Sequence, residues 1–194
     1  MTAIERAAAA IREGELVVYP TETVYGLGAD ALDPAAVERV FEVKGRDRSN
    51  PISMAVPSVP AAFEFVRASD RERQFMAEFF PGPVTVLCRK GSSVPDALTA
   101  GRDRVGVRVP DHPVALSVCE RAGTPITATS ANVSGRPSVR RVAALDPAVR
   151  DGVAEIIDDG ETAGTESTVV DVSSGTIHRR GSLASAIERW LDTH

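Results

Sequence analysis

The chain has 194 residues, 43% of them hydrophobic, and a formal net charge of −5. It is long enough to bury a substantial core and too acidic to be a body that holds nucleic acid by phosphate contacts alone. No apolar run reaches the ~18 residues needed to cross a bilayer, and the N-terminus has no basic region followed by an apolar stretch, so a cytoplasmic protein with no membrane contact is expected.

Thr2-Ala3-Ile4-Glu5 is a capping box, which predicts a helix to Glu13 stopped by Gly14. Leu16 to Tyr19 is a buried-type strand. The stretch Tyr19 to Asp33, YPTETVYGLGADALD, reads as an elaborate strand-to-helix turn whose glycines let the backbone turn tightly. Asp33 then caps a helix with Pro34 at its first position. On that helix Val37, Val40, Phe41 and Lys44 share one face, and Gly45 ends it. Ile52 to Val56 is a strand, followed by two helical segments to Phe80. Pro81-Gly82-Pro83 breaks the chain before a strand from Val84 to Arg89.

Val105 to Val109 is a strand, about Pro113 to Ala122 a helix, and Ile126 to Thr129 a strand. A helical stretch is expected over about Val139 to Val149, then a strand from Glu155 to Ile157. Thr168 to Val172 and Thr176 to Arg179 flank Ser173-Ser174-Gly175, a hairpin signal. Ser182 caps a last helix whose inward stripe is Leu183, Ala186, Ile187 and Trp190. Without repeats or linkers, the pattern describes one domain over residues 1–194, an α/β fold with a sheet of mixed direction.

Polar clusters fall at element ends, where open α/β sheets bind ligands. They are Thr21-Glu22-Thr23 with Tyr25, Lys44-Gly45-Arg46-Asp47-Arg48-Ser49-Asn50-Pro51, Thr129 to Ser138, and Glu166-Ser167-Thr168 with Arg179-Arg180-Gly181. Singly, each also reads as ordinary turn chemistry, and Lys44 as a helix C-terminal charge. Gly26-Leu27-Gly28 lacks the third glycine of a dinucleotide loop, since residue 31 is Ala, and there is no P-loop. Together, cationic side chains at several element ends of an acidic protein suit a polyphosphate. Cys88 and Cys119 form no CxxC and are read as structural. His112, His178 and His194 are scattered, so no metal site built from protein side chains is identified. With no nucleophile–base set apparent, positioning and charge neutralisation are the favoured chemistry, as in nucleotidyl transfer.

Pro20-Thr21-Glu22-Thr23-Val24-Tyr25-Gly26-Leu27, Lys44-Gly45-Arg46 with Asn50-Pro51, Pro81-Gly82-Pro83-Val84-Thr85, Ser130-Ala131-Asn132 and Ser167-Thr168-Val169-Val170-Asp171 resemble, in order, the motifs of the YrdC-like threonylcarbamoyl-AMP synthases, short single-domain type. The resemblance implies an open, twisted, mixed parallel/antiparallel sheet flanked by helices around a large central concavity. It implies formation of threonylcarbamoyl-AMP and pyrophosphate from L-threonine, bicarbonate or CO2 and ATP with Mg2+. The product would pass to a separate tRNA threonylcarbamoyl transferase that makes N6-threonylcarbamoyladenosine in tRNA. Lys44 and Arg46 would be catalytic and hold the triphosphate; Thr23 and Tyr25 would face threonine. Asn50, Thr85, Arg89, Ala128, Ser130, Asn132, Ser138 and Arg179 would contact ATP, bicarbonate or substrate, and Ser167 and Thr168 would line the pocket.

Asp47 stands where Pro is frequent in the family, and Ala55 where many members carry a His near threonine. The role of Glu22 stays open between a cap, an orienting group and a proton-transfer group. The competing reading is a tRNA- or double-stranded-RNA-binding module, using Arg46, Arg48, Arg136, Arg140 and Arg141. A carbamoyl-transfer domain of the hydrogenase-maturation type is a third, without a CxxC pair to support it.

Overall fold

The computed structural model describes residues 1–194. Helix α1 (Ala3–Arg12) starts at the capping box: Glu5 N donates to Thr2 Oγ1 at 3.2 Å and Thr2 N to the Glu5 carboxylate at 2.8 Å. Strand β1 (Val17–Tyr19) follows, and the next element departs from expectation. Gly26–Gly28 is a strand, β2, paired antiparallel to β1 with Tyr19 opposite Gly26 and Val17 opposite Gly28. Pro20 to Tyr25 is therefore a loop between two strands, and the connection to the next helix begins only at Ala29.

The two glycines serve space rather than turning, since neither has a positive φ. A Cβ on Gly26 would lie 2.8 Å from Tyr19 Cζ, and one on Gly28 2.9 Å from Tyr19 Cε1. The Tyr19 ring thus packs directly on the β2 backbone, and its hydroxyl donates to Thr127 O at 3.1 Å.

Asp33 accepts from Ala35 N and opens α2 (Pro34–Lys44), which ends at Gly45 in the left-handed region, φ 57°. The remaining elements in chain order are β3 (Ser53–Ala55), α3 (Val59–Ala62), β4 (Val66–Arg67), α4 (Asp70–Phe79), β5 (Val84–Lys90), α5 (Asp96–Thr99), β6 (Arg104–Arg108), α6 (Pro113–Ala122), β7 (Ile126–Ser130), α7 (Pro147–Asp151), β8 (Glu155–Ile156), β9 (Thr168–Asp171), β10 (Thr176–Arg179) and α8 (Ala184–Thr193). The two-residue β4 and four-residue α5 are too short to leave a periodic signal.

The stretch from Val139 to Val149 is not one helix. It holds a 3-10 turn at Val142–Ala144, and α7 begins only at Pro147, whose missing N–H suits a first position and no later one. Ser182 is not the last cap either. Leu183 occupies that position, and no side chain caps α8.

The strands form one sheet in the order β10-β9-β5-β6-β3-β7-β2-β1-β8, with β4 beside β5. The pairs β1–β8, β3–β6 and β5–β9 are parallel and the rest antiparallel, so the direction is mixed as the sequence indicates. Alternation along β1 divides the core. Leu16 and Val18 enter the main apolar cluster with Val37, Val40 and Phe41, whereas Val17 and Tyr19 join a smaller one with Ile11, Val118, Cys119 and Ile126 under α1 and α6. Each such large side chain contributes about 1.5–3 kcal/mol when fully buried. Both cysteines are free and buried, and burial pushes the Cys119 thiol up to about 12, so neither is a reactive thiolate.

Gly26→Ala forces a methyl into the buried Tyr19 ring and is expected to cost about 1–3 kcal/mol in urea unfolding. Gly45→Ala, which meets nothing within 4 Å and only strains a positive φ, is expected to cost about 1 kcal/mol.

Candidate active site

A cavity of about 530 Å3 opens over the middle of the sheet. Its walls come from distant segments: Thr21 and Thr23 from the β1–β2 loop, Lys44 and Arg46 at the end of α2, Arg108 on β6, Ser130 and Asn132 at the end of β7, and Glu166, Ser167 and Arg179 around β9 and β10. Gly106 helps close the floor. A Cβ there would sit 2.2 Å from Ser53 Oγ and 2.9 Å from Thr85 Cγ2, so only glycine lets those side chains meet across β6.

At one end the Thr-Glu-Thr loop is wired to Arg108. Thr21 Oγ1 donates to Val24 O at 2.6 Å, so it accepts from Thr23 Oγ1 at 2.9 Å, and Thr23 Oγ1 in turn accepts from Arg108 Nη2 at 2.9 Å. The same Nη2 lies 2.7 Å from Glu22 Oε1, a charge contact outside hydrogen-bonding geometry that leaves both Glu22 oxygens without a donor. Glu22 does not itself line the cavity. It is the counter-charge that makes burial of the Arg108 guanidinium tolerable. Arg108 is 9% exposed, and its Nε has no partner. Nη2 is thus engaged by Thr23 and Glu22, while Nη1 makes no hydrogen bond within the protein and is left as a charged donor for an anionic ligand.

At the other end Lys44 is buried, 1% exposed, because the helical period that sends Val37, Val40 and Phe41 inward sends it inward too. Its Nζ donates to Ser130 O and, at 2.7 Å, to Asn132 O. Burial, with Arg46 nearby, lowers its pKa to about 8 against the opposing pull of Glu166. Arg46 is fixed by donation to Asn50 O at 3.1 Å and Pro51 O at 3.0 Å. Arg179 is fixed by donation to Ser167 O at 3.0 Å and Ser167 Oγ at 2.8 Å. Partial desolvation lowers the pKa of both guanidiniums; Arg179 adds to the effect on Arg46, and Glu166 opposes it on Arg179. Cations gathered in a concave site with few counter-charges form an anion-binding end.

Of the residues singled out from sequence, Thr23, Lys44, Arg46, Thr85, Ala128, Ser130, Asn132, Ser167 and Arg179 meet in this cavity. Others do not. The Tyr25 ring is buried away from it, with its hydroxyl donating to Gly160 O at 2.7 Å and accepting from Asp159 N at 3.1 Å, so it pins the loop after β8. Arg89 shares a face with Thr85 and Leu87 but lies beyond the cavity, exposed and opposite Arg67 of β4. Thr168 is buried and accepts from Gly181 N at 3.1 Å, a structural contact. Asn50 is exposed at the rim and offers its carbonyl to Arg46, whereas Ser138 reaches the site only by donating to Glu166. Sequence reasoning missed Arg108, and it named Glu166 only as a member of a polar cluster, without a role. An arginine at the end of an apolar strand was the available signal for the first.

A Sua5/YciO/YrdC family model, described as telomere recombination, matches residues 9–181. The chain belongs to the Sua5/YciO/YrdC family. Among its relatives, the threonylcarbamoyl-AMP synthase of Pyrococcus abyssi is 44% identical over 88% of this chain and 51% of its own length. That of Bacillus subtilis is 39% identical over 86% of this chain and 49% of its own. The chain thus spans about half the length of these two relatives. It also covers 96% of the Xanthomonas euvesicatoria threonylcarbamoyl-AMP synthase at 35% identity, over 91% of its own residues. The crystal structure of P. abyssi Sua5 complexed with L-threonine shares the fold with a TM-score of 0.89 and 41% identity, over 96% of this chain and 56% of that one. E. coli YciO matches with a TM-score of 0.81 at 25% identity, over 92% and 89%. The open mixed sheet of this family is the one the resemblance implied.

Lys44 loses its proton near pH 8 in the fold but only near 10.5 when unfolded. Across that window the unfolded chain binds more protons, so stability relative to a Lys44→Met variant should rise with pH, by at most about 1.4 kcal/mol per unit. Urea unfolding of both proteins at several pH values between 7 and 10 measures it.

Proposed function

We propose that this chain is an L-threonylcarbamoyladenylate synthase, a nucleotidyltransferase that forms threonylcarbamoyl-AMP and pyrophosphate from L-threonine, bicarbonate or CO2, and ATP. The observation that carries this reading is a single cavity with the Arg108 guanidinium at one end, its Nη1 without a protein partner, and Lys44, Arg46 and Arg179 at the other. An amino-acid carboxylate suits the first, a triphosphate the second. The names of the relatives, and the threonine bound by the P. abyssi structure, support the same substrates.

In this reading Arg108 holds the threonine carboxylate, oriented by Glu22 and Thr23. The neutral amine of threonine adds to CO2 and loses a proton to solvent, and the carbamate oxygen then attacks the α-phosphorus while pyrophosphate leaves. Lys44, Arg46 and Arg179 hold the β- and γ-phosphates and offset the charge that grows on the leaving group. Carbamates decompose in water, so a recessed site favours the second step. Ala55 is a cavity residue without a polar group, which leaves the polar contacts of this end to Thr23 and Arg108. Glu166 is the one carboxylate lining the cavity, and no group of three metal-binding side chains occurs. Mg2+ would accordingly arrive on the nucleotide's phosphates and offset their charge there. The mixed-anhydride product suits transfer to an amine by a separate tRNA-modifying enzyme.

The RNA-binding reading is disfavoured by where the arginines point. Arg136 is paired with Asp146 and Arg48 with Glu38, and Arg140 and Arg141 share Glu161, so most of this positive charge is offset within the protein.

Pyrophosphate release from the full chain should require threonine, bicarbonate and ATP together; threonine-independent ATP cleavage would count against the assignment. Arg108→Lys keeps the charge but not the planar set of donors that bonds Thr23 and a ligand together, and should raise KM for threonine about 10-fold or more with ATP affinity unchanged.

A further inference from the structure

Glu166 stands where the positive charge of the cavity collects, just before β9, with its side chain 39% exposed and therefore not fixed by packing. Its Oε2 lies 3.0 Å from Arg179 Nη1, and its Oε1 accepts from Ser138 Oγ. Every other partner of Arg179 is a neutral oxygen of Ser167. Lys44 and Arg46 likewise bond only to main-chain carbonyls. The anion-binding end thus gathers Lys44, Arg46 and Arg179 against a single internal counter-charge.

We propose that Glu166 is a resident counter-anion that competes with the polyphosphate for Arg179 and so weakens the enzyme's hold on released pyrophosphate. The proposal rests on the assignment of this end of the cavity to a polyphosphate. Glu166 relieves repulsion among the cations while the cavity is empty. An incoming phosphate must take Arg179 from the carboxylate and then lie beside a displaced negative charge, and both effects lower affinity. For a product carrying several charges and held by three cations, looser binding shortens residence, and product release is a common limit on turnover. A carboxylate that oriented Arg179 for the phosphate, or that ligated a metal, would act in the opposite direction.

Calorimetric titration of the full chain with inorganic pyrophosphate in EDTA separates these cases. E166Q keeps an acceptor for Ser138 and removes the charge. It should bind pyrophosphate about 3- to 10-fold tighter, with the gain shrinking as salt rises, and its kcat should fall with slower pyrophosphate release. E166A, with wild-type-like circular dichroism and unfolding midpoint, should bind tighter as well. Equal or weaker binding by E166Q overturns the proposal, as does a loss of affinity seen only when Mg2+ is added, which would make Glu166 a metal partner. If the wild-type chain binds neither pyrophosphate nor ATP, the polyphosphate assignment itself fails and the proposal with it.

Discussion

The ammonium of Lys44 is the point on which the site depends. It closes α2 onto the end of β7 by donating to the carbonyls of Ser130 and Asn132, while Ser134 N donates back to Lys44 O at 2.8 Å. A buried ammonium without acceptors would be expensive, so the helix and the loop after β7 must keep this arrangement for the fold to persist. That constraint places one cation and two backbone segments in the wall of the cavity before any ligand arrives. It also lowers the proton affinity of the lysine, which ties the charge of the site to its packing.

The opposite end obeys the same rule with different groups. Arg108 is buried on β6, and its burial is tolerable because Glu22 supplies charge and Thr23 an acceptor. The loop that carries both is held by the short β1–β2 pairing, and that pairing is possible because Gly26 and Gly28 leave room for the Tyr19 ring. A tight aromatic–glycine contact in the core thus sets where a guanidinium points several residues away. The glycines of this stretch matter as absences of a side chain, and the open role of Glu22 resolves into support of Arg108.

Much of the fold was legible because its signals are local. The capping box at Thr2, the Asp33-Pro34 start and the Gly45 stop each depend on backbone groups within one helical turn. The stripe of Val37, Val40, Phe41 and Lys44 needs only the helical period. The site was legible in part, through resemblance more than through spacing. Thr23, Lys44, Arg46, Ser130, Asn132 and Arg179 lie on motif segments that do converge. Tyr25 and Thr168 lie on the same segments, yet their hydroxyls are spent on Gly160 and Gly181, because neighbours in sequence face opposite ways.

By itself the sequence determined the family, the mixed α/β architecture, the main helices with their caps and the cationic character of one end of the site. Those follow from short-range periodicity, capping and motif order. Only the tertiary structure decided that Arg108 rather than Arg89 enters the cavity, that Glu22 stands behind it, and that Glu166 is the one carboxylate inside. The two arginines sit on adjacent strands, and nothing local distinguishes them. The pairing of β6 with β3 brings Arg108 opposite Ala55 at the centre of the sheet, whereas Arg89 pairs with Arg67 at its edge. Register between distant strands assigns such positions, because it sets which side chains share one enclosed volume.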